Sequence, residues 1–112
     1  MALEVDGKTI ETDGNGYLVN TEDWNEQVAQ VLAEHEGLTL TQGHWDVLSY
    51  LREQYFDHAG NQPNMRHMIK DMAEIWGRDV ESKTLFDLFP GNPTKQAYRI
   101  AGLPETRRKG GY

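Results

Sequence analysis

Residues 88–104 read LFPGNPTKQAYRIAGLP, a stretch dense in helix punctuation. Pro90 stops a preceding helix, because proline lacks the amide that would continue the hydrogen-bond ladder. Asn92 suits an N-cap and Pro93 suits the first helical position, where a missing amide costs nothing. Ala97, Ile100 and Ala101 follow at helical spacing and predict an inward face. Gly102 then ends the helix, and Pro104 prevents its continuation. The stretch is therefore a short helix fenced on both sides, and it implies a chain of short helices set by local breakers.

Reading backwards, Ser82 is a candidate cap for a short fourth helix carrying Leu85, Leu88 and Phe89. A third helix starts near Pro63, which sits where a first-turn proline is tolerated, shows the stripe Met65, Met68, Ile69, Met72 and Trp76, and is closed by Gly77. A second is capped by Thr41, repeats Trp45, Leu48, Leu51, Tyr55 and Phe56, and is closed by Gly60. The first is expected to take Thr21 as its cap, with Asp23 favouring the helix dipole. Its apolar face is Trp24, Val28, Val31 and Leu32, and Gly37 ends it. Residues 3–19 alternate as strands do: LEV, an Asp6-Gly7 turn, KTIET, a second turn at 13–16 and a third strand at Tyr17–Val19. Strands this short need a helical layer against one face.

The predicted fold is α+β. A small N-terminal antiparallel β-meander (3–19) packs on about five helices (21–102), forming one domain over 1–104, with a flexible C-terminal arm at 105–112. The arm has no apolar periodicity and contains a Gly-Gly pair, as mobile termini do.

One domain is the natural expectation for 112 residues, and 38% hydrophobic against 26% charged residues places the chain among globular proteins. No apolar run approaches the roughly 18 residues that span a bilayer, and no leader pattern is visible. The expectation is a cytoplasmic protein with no membrane contact. The sequence has no cysteine. Disulfides, thiolate catalysis and cysteine-ligated metal sites are therefore excluded. Net charge is −7, unevenly spread. From Lys95 onward, Lys95, Arg99, Arg107, Arg108 and Lys109 face only Glu105, a balance of +4 that leaves −11 on residues 1–94. The body should repel phosphate backbones, and the tail should attract them or an acidic protein. A solubilising tail is the plainer alternative.

Four segments in order carry a family resemblance: VDGKTIETDGNGYLVNTEDWNEQVA near the start, LTLTQGHWDVLSYLREQY in the middle, QPNMRHMIKDM after it, and LFPGNPTKQAYRIAGLP. Together they resemble the DsrC/TusE family of small sulfur-relay proteins, whose members include the gamma subunit of dissimilatory sulfite reductase. The resemblance implies the α+β architecture described above. It also implies protein partners of a sulfur-relay or sulfite-reductase-like complex. Members that carry sulfur do so on a cysteine next to the C-terminal residue. Counting five residues beyond the Leu-Pro step gives Lys109, and counting from the end gives Gly111. A second cysteine of some members falls at Tyr98. None of these three residues can form a persulfide. Cysteine-free members are regarded as regulators, and this chain resembles them.

On that resemblance, Arg66 matches a Pro-x-x-Arg helix start and Lys95-Gln96 a Lys-Gln pair. With Arg99, Arg107, Arg108 and Tyr112 they are the candidate partner- or anion-binding residues. Arg66 and Lys95 could instead hold a C-terminal carboxylate or make ordinary helix-end contacts. No catalytic residue is assigned. His35 and His44 are nine apart, as are His58 and His67, which fits no metal-ligand spacing. No metal or cofactor is expected. His67 and Asp71 read as a surface i,i+4 pair. His44 reads as a helper of the second helix's cap. The three tryptophans and the methionine stripe read as core.

The leading expectation is a non-enzymatic binding or regulatory relative of the sulfur-relay proteins. The alternative is a nucleic-acid-binding transcriptional regulator, using helices two and three as a helix-turn-helix-like pair together with the basic tail. Arg66, His67, Lys70 and Arg78 would be its basic side chains, interrupted by Asp71 and Glu74.

Overall fold

A computed structural model describes residues 2–104. The arm at 105–112, with Arg107, Arg108, Lys109, Gly111 and Tyr112, lies outside the described residues. Strands β1 (Ala2–Val5) and β2 (Lys8–Glu11) form an antiparallel hairpin in which Val5 faces Lys8 and Leu3 faces Ile10. Asp6 and Gly7 both take positive φ, 51° and 77°, as a two-residue turn of this hand requires.

The expected third strand is reduced to one bridge, Thr12 to Leu18. The Asp13 carboxylate accepts from the amides of Asn15 and Tyr17, so it closes a tight turn that uses up the strand's first residues. Tyr17 and Leu18 are buried as anchors, whereas Val19 is 65% exposed. The α+β class stands, with a two-stranded sheet at its start.

A 3-10 turn at Thr21–Asp23 is capped by Asn20. The first α-helix, α1 (Glu26–His35), begins later than the sequence implies, and its N-cap is Asn25 rather than Thr21. Trp24 is extended between the two, with φ −77° and ψ 138°, and so lies outside α1. Helix α2 (Gln42–Asp57) is capped by Thr41 as expected. The Thr41 amide donates to His44 Nδ1 at 3.0 Å. A neutral ring then carries its proton on Nε2 and donates to the Leu88 carbonyl at 2.7 Å. His44 is buried edge-on against Phe89 and ties the start of α2 to the chain at Leu88 and Phe89.

Helix α3 (Met65–Trp76) takes Asn64 as its cap, so Pro63 lies outside the first turn. Gly77 closes α3 in the left-handed region at φ 65°. Helix α4 (Ser82–Leu88) is capped by Glu81, not Ser82, and the Glu81 amide reaches back to Thr84 Oγ1 at 3.4 Å. Helix α5 (Pro93–Ile100) has Asn92 as cap and Pro93 in its first turn, as read from the sequence.

The core forms around α5. Pro93, Thr94, Gln96, Ala97, Tyr98 and Ile100 are all buried in this eight-residue helix, which packs against α1, α2 and α4. Met68 and Met72 of α3 are fully buried, as expected. Trp24, Trp45 and Trp76 are not core residues. Each is half-buried at the core's edge, where an indole can keep a polar partner for its N–H. Among the described residues, no helix is long and apolar enough to cross a membrane.

Asp71 does not pair with His67. It accepts a short hydrogen bond from the Tyr50 hydroxyl of α2, while His67 turns to Asn64. Burial first, then the bond to Asp71, pushes the Tyr50 phenol far above its ordinary value. A raised folded-state pKa stabilises the fold below the unfolded value, about 10 for tyrosine, and that contribution is lost as pH rises further. Thermal unfolding should therefore show a loss of stability above about pH 10 that Tyr50→Phe partly removes. At neutral pH the same substitution should cost about 1–2 kcal/mol, because it strips a half-buried carboxylate of its donor. Identical alkaline profiles for the two proteins would refute the assignment.

Candidate functional site

The last carbonyls of a helix have no partner inside it. At the end of α5 and in the segment just after it, backbone carbonyls are met by side chains from three separate segments. Trp24 Nε1 donates to the Ile100 carbonyl at 2.8 Å, and Arg52 Nη1 donates to that of Ala101 at 2.6 Å. Gln62 Nε2 donates to the Pro104 carbonyl at 2.9 Å, at the last described residue. The Arg52 guanidinium lies 4.0 Å from the Trp24 ring centre and 4.8 Å from that of Phe56. Desolvation by this packing lowers the Arg52 pKa. The group stays protonated, because arginine starts far above neutral pH.

Gly102 completes the clamp. Its φ is 72°, and a Cβ placed there would meet Trp24 Cδ1 at 2.4 Å. The segment after α5 thus runs through a clamp with no room for a side chain at its centre.

Beside the clamp lies Tyr98, fully buried, whose hydroxyl donates to the Pro63 carbonyl at 2.6 Å. The rejected first-turn role of Pro63 has its explanation here: the residue ends the loop before α3 and offers its carbonyl to α5.

The candidate binding residues separate into two groups. Gln96 and Arg99 meet on one carboxylate. Arg99 Nη1 is 2.5 Å from Glu36 Oε1, and Gln96 Nε2 donates to the same oxygen at 3.1 Å. Gln96 also accepts from the Gly91 amide at 2.9 Å. Arg99 lies over the Tyr17 ring and against Gly16. These two side chains tie α5 to Glu36 at the end of α1 and to the turn at Gly16 and Tyr17. Arg66 and Lys95 are exposed and make no ion pair among the described residues. Arg66 borders a shallow groove of about 630 Å³ with Asn64, Met65 and Ile69. No described group of three or more His, Asp or Glu residues is placed to hold a metal ion.

Trp24, Arg52 and Gln62 were missed as site residues. Arg52 left a trace: it sits among Leu48, Leu51 and Tyr55 on the apolar side of α2, where a cation needs a specific partner. Nothing in the sequence marks Gln62.

The comparisons agree with this architecture. A family model described as DsrC like protein matches residues 4–108. The chain is 45% identical over 104 residues to the sulfurtransferase TusE of Yersinia pestis, covering 92% of this chain and 94% of that protein. The NMR structure of Allochromatium vinosum DsrC superposes with a TM-score of 0.89 at 42% identity, covering 97% of this chain and 99% of that one. The crystal structure of the oxidized gamma-subunit of the dissimilatory sulfite reductase (DsrC) from Archaeoglobus fulgidus gives the same TM-score, 0.89, at 33% identity and the same coverage.

Proposed function

The chain belongs to the DsrC-like family of sulfur-relay proteins, and on that premise we propose that it is a binding or regulatory member that carries no sulfur itself. The observation that carries this reading is the absence of cysteine from the sequence. A persulfide carrier needs a thiolate to attack the donor's sulfane sulfur. This sequence has no cysteine, and the family position within α5 is filled by a tyrosine sealed in the core on the Pro63 carbonyl. What remains is the fold and the clamp around residues 100–104. The protein is non-catalytic, needs no cofactor, and acts by occupying the partners of cysteine-bearing relatives. Arg66, Lys95 and the arm residues Arg107, Arg108 and Tyr112 are the side chains offered to them.

The nucleic-acid reading ranks second. The exposed side of α3 carries Arg66, His67 and Lys70 but also Glu74, on a body whose balance is −11 over residues 1–94.

The test is intact-mass spectrometry after incubation with a cysteine desulfurase and its substrate. No gain of about 32 Da is expected on this chain, because no side chain can hold sulfane sulfur. Added in excess to a cysteine-bearing relative and its sulfur donor, the chain should slow loading of the relative. A sulfur adduct would sink the non-carrier reading, and unchanged loading would sink the competitor reading.

A further inference from the structure

Trp76 ends α3 half-buried, and its indole N–H donates to Asp46 Oδ2 at 2.8 Å. The other oxygen of Asp46 accepts from Gln42 Nε2 at 2.8 Å, so ring and carboxylate are both held. Gly77, left-handed, turns the chain back, and the Arg78 guanidinium comes to 5.1 Å from the Trp76 ring centre. Asp87 and Leu88 of α4 form the opposite wall of a cleft of about 480 Å³.

We propose that this cleft is a receptor for the guanidinium or ammonium side chain of a basic segment on a partner protein. The ring already holds a cation, and that cation is local and replaceable. Arg78 is exposed and makes no ion pair among the described residues. Among the described residues Asp87 is held only by Lys83 at 3.2 Å, and both side chains are largely in solvent, where such a pair contributes little. An incoming arginine would displace Arg78 from the ring face and take Asp87 from Lys83. It would find an aromatic face with two carboxylates beside it. The −11 balance of residues 1–94 draws basic segments toward the body of the protein and repels the phosphates of a nucleic acid. The site lies on the α2–α4 side of the fold and uses none of the clamp residues, so the inference does not depend on the sulfur-relay reading.

The experiment titrates the full chain with an acetylated, amidated Arg-Arg-Lys peptide and follows the Trp76 indole N–H by NMR. Saturable shifts at Trp76 are expected. Arg78→Ala removes the local competitor and should tighten binding by about twofold to fivefold, the scale of an exposed cation–π contact. Asp87→Asn should weaken binding, and because the side chain is exposed this variant keeps its fold. Unchanged or weaker binding by Arg78→Ala would overturn the proposal, as would equal binding of the peptide with citrulline in place of arginine. A chain with Arg107→Gln, Arg108→Gln and Lys109→Gln separates the occupants. If these changes alone move the Trp76 signal and tighten peptide binding, the cleft serves this chain's own tail and the partner assignment fails. Stronger shifts with a short single-stranded RNA than with the peptide would also refute it.

Discussion

Gly102→Ala is expected to lower the melting temperature by about 8–30 °C, at roughly 4–8 °C per kcal/mol for a domain of this size. Two costs combine. The backbone sits at φ 72°, where any side chain is strained by about 1 kcal/mol. The added methyl would also stand 2.4, 2.7 and 2.8 Å from Trp24 Cδ1, Cγ and Cβ. The ring cannot yield cheaply, since one edge is bonded to the Ile100 carbonyl and one face is covered by Arg52. Overpacking of this kind costs about 1–3 kcal/mol. Gly77→Ala is the control. Its φ of 65° is nearly the same, but nothing lies within 4 Å of the added carbon, so it should show the strain alone. Circular-dichroism melts of both variants read the difference. If Gly102→Ala is no worse than Gly77→Ala, the close approach of Trp24 is not a constraint, and the clamp loses its centre.

Tyr98→Ala should cost about 3–5 kcal/mol in denaturant unfolding, the range for emptying a buried aromatic site. The residue has no exposed surface, and Ala97, Ile100 and Ala101 around it are also fully buried, so the walls have little freedom to collapse. Tyr98→Phe keeps the ring and removes the donor to the Pro63 carbonyl, for a smaller loss of about 1–2 kcal/mol. The two variants thus divide packing from hydrogen bonding. Tyr98→Cys bears on function as well. A thiol in this apolar interior should resist a thiol reagent until the protein unfolds, because burial disfavours the thiolate. Rapid labelling of the folded variant would mean that position 98 opens to solvent, and that tyrosine is no plug there.

The sequence alone determined the helices and most of their ends. Asn92 with Pro93, Thr41 with His44, and Gly77 act on amides and carbonyls within four residues of themselves, so their effects are written locally. It determined the α+β class through the change from strand alternation to helical stripes. It also showed that these 112 residues contain no cysteine, a fact that needs no structure to read. The errors fell where a distant partner outweighed a local signal. Thr21 is a good cap, but Trp24 stays out of α1 to reach a carbonyl 76 positions away. Asp71 is placed to pair with His67, but the Tyr50 hydroxyl takes it. Pro63 fits a first turn, but its carbonyl serves Tyr98. Arg66, Lys95, Gln96 and Arg99 looked alike as basic or polar candidates, and only packing separated the exposed pair from the pair spent on Glu36. The clamp itself was decided by the tertiary structure alone. Trp24, Arg52 and Gln62 lie 76, 49 and 42 positions from the carbonyls they bind. Contacts over such separations depend on how α2 and α5 pack together, and neither residue type nor periodicity encodes that packing locally.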